Sequence, residues 1–194
     1  SRCDPLGPQD EDCQTSPQKT SCWFEDGNTD CFNTHGGTQE YLTDNIILMT
    51  DVIRSSSANS NTLYKYNFEE DTFEKAVTFS ENPTNLRIYP DQIIPKPNGS
   101  YSIVGSMLNS HRDKYVFNYS ANDSYVSGHY IGTWDNSVSD CNFHGVRNQI
   151  WCYLSGNSVG SKVIVLNSDG SELLHEPILL PRSKGAGLAI DSAG

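Results

Sequence analysis

From about residue 40 onward, short runs of aliphatic, β-branched and aromatic residues alternate with clusters of Gly, Asn, Asp and Ser. Asn45-Ile-Ile-Leu-Met-Thr50 is a compact apolar run, and Thr62-Leu-Tyr-Lys-Tyr-Asn67 alternates apolar and polar positions before the polar turn Glu69-Glu-Asp71. Tyr101-Ser-Ile-Val-Gly105 follows the turn Pro97-Asn-Gly99, and Lys114-Tyr-Val-Phe-Asn-Tyr119 precedes the turn Ala121-Asn-Asp-Ser124. Gln149-Ile-Trp-Cys-Tyr-Leu154 comes next, and Lys162-Val-Ile-Val-Leu166 leads into Asn167-Ser-Asp-Gly170. Segments this short with a period of two and turn residues between them predict strands and hairpins. One stretch is ambiguous. Phe68, Thr72, Ala76 and Phe79 fit one face of a helix, whereas a hairpin would place Phe73 and Val77 on an inner face.

The segments recur. Strand-plus-turn units beginning at Leu63, Tyr115 and Val163 lie 52 and 48 residues apart, and the preceding strands around Ile46, Ser102 and Ile150 lie 56 and 48 apart. A repeat of about 40–50 residues is the length of one four-stranded blade of a β-propeller. A lone twisted blade exposes both faces, and radial stacking buries them while leaving only short edges.

Ile93-Ile-Pro-Lys-Pro-Asn-Gly-Ser-Tyr-Ser-Ile-Val-Gly-Ser106 resembles the first hairpin of propeller blades built on a Gly-Gly-Tyr-type repeat. Lys162-Val-Ile-Val-Leu-Asn-Ser-Asp-Gly-Ser-Glu-Leu-Leu174 resembles their third-strand hairpin, and Gly185–Gly194 resembles the opening strand of a further blade of the NHL type. The resemblance covers residues 41–194 and implies an all-β fold: a partial β-propeller of about three blades (41–82, 83–131 and 132–182) with one strand of a fourth at 183–194. The long Ser/Asn segment Arg54–Asn61 departs from the usual spacing in the first unit. Because propellers close with four to eight blades, further strands from the same protein or another chain are expected to complete the ring. The resemblance carries no active site with it.

Residues 1–40 differ in texture. Their first 31 positions hold seven acidic side chains against Arg2 and Lys19, together with Pro5, Pro8 and Pro17 and few aliphatic residues. Such a stretch buries too little apolar surface to offset its chain entropy without crosslinks. Four of the six cysteines (Cys3, Cys13, Cys22 and Cys31) lie there, with spacings unlike the close ligand pairs of zinc sites. Two disulfides among these four are expected, in any of three connectivities, tying an acidic arm that Trp23, Phe24 and Phe32 would dock onto the next domain. The remaining two, Cys141 and Cys152, would staple adjacent antiparallel strands.

Even cysteine count and three Asn-x-Ser sequons, at Asn98, Asn118 and Asn122, point to an oxidising, secretory route and an extracellular glycoprotein. Asn82 precedes Pro83, which blocks that site. The net charge of −11 disfavours a nucleic-acid partner, since a phosphate backbone demands cationic counter-charge. No apolar run is long enough for a transmembrane helix.

Catalytic motifs are scarce. The histidines at 35, 111, 129, 144 and 175 form no His-x-x-x-His pair, and no Gly-x-Ser-x-Gly elbow, phosphate loop or dinucleotide Gly motif occurs. Asn167-Ser-Asp169-Gly170 with Glu172 lacks most features of a calcium loop and reads as a tight turn. No metal site and no cofactor are therefore expected. Trp134, Asp135, Asp140 and His144 form a candidate ligand loop, whose competing reading is a polar connection between the second and third units. Asp44, Asp91 and Asp140, near strand starts, are the candidates for paired carboxylates at a propeller mouth. The ten tyrosines and three tryptophans suit sugar stacking or protein interfaces, but packing between blades accounts for most of them. The resulting expectation is a secreted structural or protein-interaction module, part of an extracellular assembly or filament and not an enzyme. The alternatives are a carbohydrate-active glycosidase or lyase, or a glycan-binding lectin.

Overall fold

The computed structural model describes residues 20–25, 28–33, 39–51, 62–78, 88–107, 110–156, 160–180 and 188. Strands β1 (Thr20–Glu25) and β2 (Asn28–Asn33) pair as an antiparallel hairpin whose register sets Cys22 opposite Cys31. Cys3 and Cys13, and the Ser/Asn segment of the first unit, lie outside the described residues.

The other strands build three four-stranded antiparallel sheets, each running strictly in chain order. The first holds β3 (Gln39–Thr43), β4 (Ile46–Asp51), β5 (Thr62–Asn67) and β6 (Thr72–Thr78). The second holds β7 (Ile88–Pro95), β8 (Tyr101–Met107), β9 (Ser110–Tyr119) and β10 (Tyr125–Thr133). The third holds β11 (Ser137–His144), β12 (Gln149–Ser155), β13 (Ser161–Asn167) and β14 (Ile178–Leu180). The protein is all-β, with no helix among the described residues and hence none long and apolar enough to cross a membrane. Of the two readings of the stretch after β5, the structure takes the hairpin: a turn at 68–71 leads into β6, which pairs with β5 from Asn67↔Thr72 to Thr62↔Thr78. A hydrogen-bonded neighbour, together with the β-branched Thr72, Val77 and Thr78, outweighs the helical spacing.

Consecutive apolar residues explain how the sheets pack. On the second sheet Ile93, Ile103, Phe117, Tyr101 and Tyr119 point one way and join Leu48 and Leu63 of the first sheet in one buried cluster. Their chain neighbours Ile94, Val104 and Val116 point the other way and join Val138, Ile150, Leu154, Ile164 and Leu166 of the third. Successive side chains on a strand face opposite sides. A run of two adjacent aliphatics therefore marks a strand covered on both faces. The second sheet is the middle layer.

The sheets also stack in corresponding order. First strands touch first strands, with β7 packed against both β3 and β11, and Gln92 Nε2 on β7 donates to the Ser139 carbonyl on β11 at 3.1 Å. Third strands meet the turns that leave the next third strand. Lys65 on β5 bonds Asp123, and Asn118 Nδ2 on β9 donates to the Asp169 carbonyl at 2.7 Å. The pattern extends beyond the third sheet. Leu188 is held against β11 by its N–H, which donates to Asp140 Oδ2 at 2.6 Å, and by its carbonyl, which accepts from Asn142 Nδ2 at 2.6 Å.

Each first strand carries a register shift: between Tyr41 and Thr43, between Pro90 and Gln92, and between Val138 and Asp140. The irregularity lets β7 hold Pro90 and Pro95 on an outer strand of its sheet, where a missing N–H costs no inner ladder bond.

Candidate functional site

Asn118 is the centre of the best-formed polar site. It sits on β9 with 5% of its surface exposed, and all of its amide is used. Oδ1 accepts from Ser102 Oγ at 2.6 Å and from Lys96 Nζ at 3.1 Å. Nδ2 donates to Ser127 Oγ at 3.0 Å and to the Asp169 carbonyl at 2.7 Å. One side chain thus ties the β7–β8 turn, β8, β10 and the turn after β13 together. Both Nδ2 hydrogens of this sequon asparagine are thus committed in the interior, to Ser127 Oγ and to the Asp169 carbonyl. The other two sequon asparagines, Asn98 and Asn122, are exposed in turns, and Asn98 Oδ1 accepts from Ser100 N and Oγ at 3.1 and 2.6 Å.

Above Asn118 lies a cleft of about 630 Å³ between the second and third sheets. Its lining includes Lys96, Asn98, Asn118, Phe143, Asn148 and Asp169. The walls are hairpin turns, which is where loop chemistry normally gathers on a sheet scaffold. Gly99, with φ of 79°, and Asn148, with φ of 54°, provide the left-handed residues that two of those turns require. Lys96 Nζ lies 6.0 Å from the centre of the Phe143 ring. Burial lowers the Lys96 pKa below the ordinary lysine value, and the Asp169 charge partly offsets this. Asp169 itself is pushed up by burial, but the Ser171 N–H and hydroxyl, with His129 behind them, bring the net value below the usual aspartate range.

The four residues of the expected ligand loop have separate engagements. Trp134 lies across Gly132, where an added Cβ would stand 2.6 Å from the indole and φ is 138°. Its backbone N–H donates to the Arg112 carbonyl at 2.9 Å, so Trp134 closes the β10–β11 connection by packing. Asp135 is exposed and pairs with Arg112 at 2.6 Å. Asp140 receives the Leu188 N–H, whereas His144, buried at the far end of β11, accepts at Nδ1 from the Arg147 N–H at 3.3 Å. Four residues of extended chain, about 13 Å, separate the last two.

The carboxylates considered for a propeller mouth are also apart. Asp44 is exposed in the β3–β4 turn. Asp91 accepts from Ser106 Oγ at 2.8 Å and lies 3.9 Å from the buried Lys114 ammonium. Asp140 does have a carboxyl neighbour that spacing could not reveal: burial first, and then the Asp140 charge, raise the pKa of Glu40 on β3. Among the described residues no three His, Cys, Asp or Glu side chains gather as metal ligands.

Cys141 and Cys152 form the expected disulfide, on facing positions of β11 and β12 with Cα atoms 4.1 Å apart. The Asn167–Glu172 segment is the expected tight turn. Gly170 N–H donates to the Asn167 carbonyl at 3.1 Å, and Asn167 Oδ1 accepts from Glu172 N–H at 3.1 Å.

A second feature is the far face of the first sheet. Tyr41, Ile47, Met49, Tyr64 and Tyr66 share it through the cross-strand pairs Tyr41↔Ile47↔Tyr66 and Met49↔Tyr64. Phe68 stacks on Tyr41 at 6.3 Å between ring centres and meets Tyr66 edge-on at 4.8 Å. Tyr41 is 62% exposed and Phe68 40%. No protein-family model matches the chain, and no curated protein matches it.

Proposed function

We propose that the chain is a β-propeller segment of an extracellular protein and works as a structural or protein-interaction module. The observation that carries this reading is the packing of β7 against both β3 and β11, so that the first strands of three successive four-stranded sheets adjoin. First strands that adjoin in successive sheets, each sheet running in chain order, fit blades set around an axis.

Other features support the module role. The Cys141–Cys152 bond fits an oxidising compartment, and the Cys22/Cys31 register fits an arm tied as a hairpin. Leu188, clamped on the free side of β11, stands where the opening strand of a following blade would lie, as β7 does beside β3. The aromatic face of the first sheet is covered, in this reading, by a further four-stranded sheet from the same protein or from a partner chain. An uncovered stripe of that kind invites association.

The experiment is the solution mass of the 21.5 kDa chain. The expected result is self-association that is abolished by the double substitution Tyr41→Ser and Phe68→Ser. A monodisperse monomer with both rings open to a soluble quencher overturns the reading.

A further inference from the structure

The geometry points to the cleft over Asn118 as a binding site for a sugar that carries a carboxylate, such as a uronic acid residue. This goes beyond the module reading and is independent of it, because the cleft needs only the second and third sheets.

Lys96 supplies the first argument. Its ammonium has three hydrogens, and its one acceptor among the described residues is the neutral Asn118 Oδ1 at 3.1 Å. A half-buried cation on the wall of an open cleft can turn its other two hydrogens to a ligand. Asn118 cannot turn away to relieve it, because Ser102, Ser127 and the Asp169 carbonyl fix both ends of the amide. Asn118 is therefore the positioning residue, and Lys96 is the group that meets the ligand.

The remaining lining decides what kind of anion fits. A single ammonium in a chain of net charge −11, with the Asp169 carboxylate on the same wall, offers too little positive charge for a phosphate dianion. One ammonium can donate to one carboxylate, with the Asp169 charge subtracting from its pull. Elsewhere the lining includes a half-buried Phe143 ring, the rim amides of Asn98 and Asn148, and the side chains of Tyr119 and Val126. An aromatic face with amide donors and acceptors around it suits the apolar face and the hydroxyls of a pyranose. A volume of about 630 Å³ lies within the range of small-molecule sites and admits one or two such rings.

The test uses the full chain prepared without N-glycans, so that Asn98 is unmodified, titrated with glucuronate, glucose, acetate and inorganic phosphate. Binding is followed by amide chemical shifts. The expected result is saturable glucuronate binding that shifts residues of the β7–β8 and β11–β12 turns. Glucose, acetate and phosphate should each bind at least about tenfold more weakly, a difference of about 1.4 kcal/mol. Lys96→Met should weaken glucuronate by a similar factor with unchanged circular dichroism. Phe143→Leu, which leaves the ammonium in place, should weaken it several-fold.

Glucose binding as well as glucuronate would overturn the role of the charge, and acetate binding as well would overturn the role of the ring. Phosphate binding more tightly would overturn the choice of anion. Absence of glucuronate binding to the unsubstituted chain, or shifts confined to other parts of the molecule, would overturn the site itself, whether or not the variants fold.

Discussion

Lys65 and Asp123, 58 residues apart in the chain, meet at 2.6 Å and tie the third strand of the first sheet to the turn that ends the third strand of the second. The same carboxylate accepts from the Tyr101 hydroxyl at 2.8 Å, and Tyr101 is fully buried. Asp123 also holds a left-handed backbone with φ of 61°, which Asp and Asn tolerate better than most residues. Asp123→Ala should cost about 3 kcal/mol, because it strands a nearly buried ammonium and a buried hydroxyl together. Asp123→Asn, which keeps the shape and the backbone preference, should cost roughly half as much. Urea denaturation of both variants checks the order. Equal losses would mean that the charge accounts for the whole effect, and an unchanged Asp123→Asn that it contributes nothing.

Gly170 faces Val116 across the interface of the second and third sheets. A Cβ at Gly170 would stand 2.6 Å from the Val116 Cβ, and φ at Gly170 is 76°. Gly170→Ala should therefore destabilise by about 2–4 kcal/mol through overpacking and backbone strain together. Trimming the partner will not help: Val116→Ala keeps its own Cβ at the point of collision. The double variant should be less stable than Gly170→Ala alone, measured by thermal unfolding.

The Cys141–Cys152 bond closes a short loop, the two residues being 11 apart. Chain-entropy reasoning gives about 2–3 kcal/mol for a loop of that length. Replacing both cysteines by alanine should lower stability by that amount, less whatever the pre-existing β11–β12 pairing already restrains. Far-ultraviolet circular dichroism should hardly change. Collapse of the third sheet would show that the crosslink, and not its strand pairing, organises it.

Alkaline pH should unfold the protein through its tyrosines. Burial, then the hydrogen bond and charge of Asp123, push the Tyr101 pKa far above its ordinary 10.0. Burial and the neighbouring Tyr125 push Tyr119 upward as well. A raised pKa means that the folded state keeps a proton that the unfolded chain releases near pH 10, so the contribution is complete below about pH 10 and declines above it. The urea midpoint should fall steeply from there, and Tyr101→Phe should flatten the fall. The half-buried Lys96 and the buried Lys114 have lowered values and act in the opposite sense, gaining stability as pH rises toward the ordinary lysine value of 10.5.

How much of this could be read from residues alone depended on what each strand buries. β5 was placed at Thr62–Asn67 and β13 to within a residue, because both bury at least one face continuously and end in strong turn residues. The first and last strands of each sheet were harder. β7 contains two prolines and an aspartate, and β10 contains Gly128 and Gly132, each needed for an aromatic ring lying against it. Those compositions read as loop until the neighbouring ring is known. The disulfide between Cys141 and Cys152 was legible from its spacing. The cleft was not. Lys96, Asn118, Phe143 and Asp169 come from different hairpins, and nothing in their spacing signals that they meet. Asn118 was visible only as a glycosylation signal, although the polar residues Ser102 and Ser127 on neighbouring strands hinted at a buried amide.

The middle sheet has no solvent-facing side of its own, since Ile93–Ile94, Ile103–Val104 and Val116–Phe117 each divide between two cores. During synthesis it leaves the ribosome with one flank bare until the third sheet follows. Over that interval a nascent chain carries an oily, strand-rich surface that must be shielded or risk sticking to its neighbours. Cleavage in the β10–β11 connection would recreate the same hazard in the finished molecule.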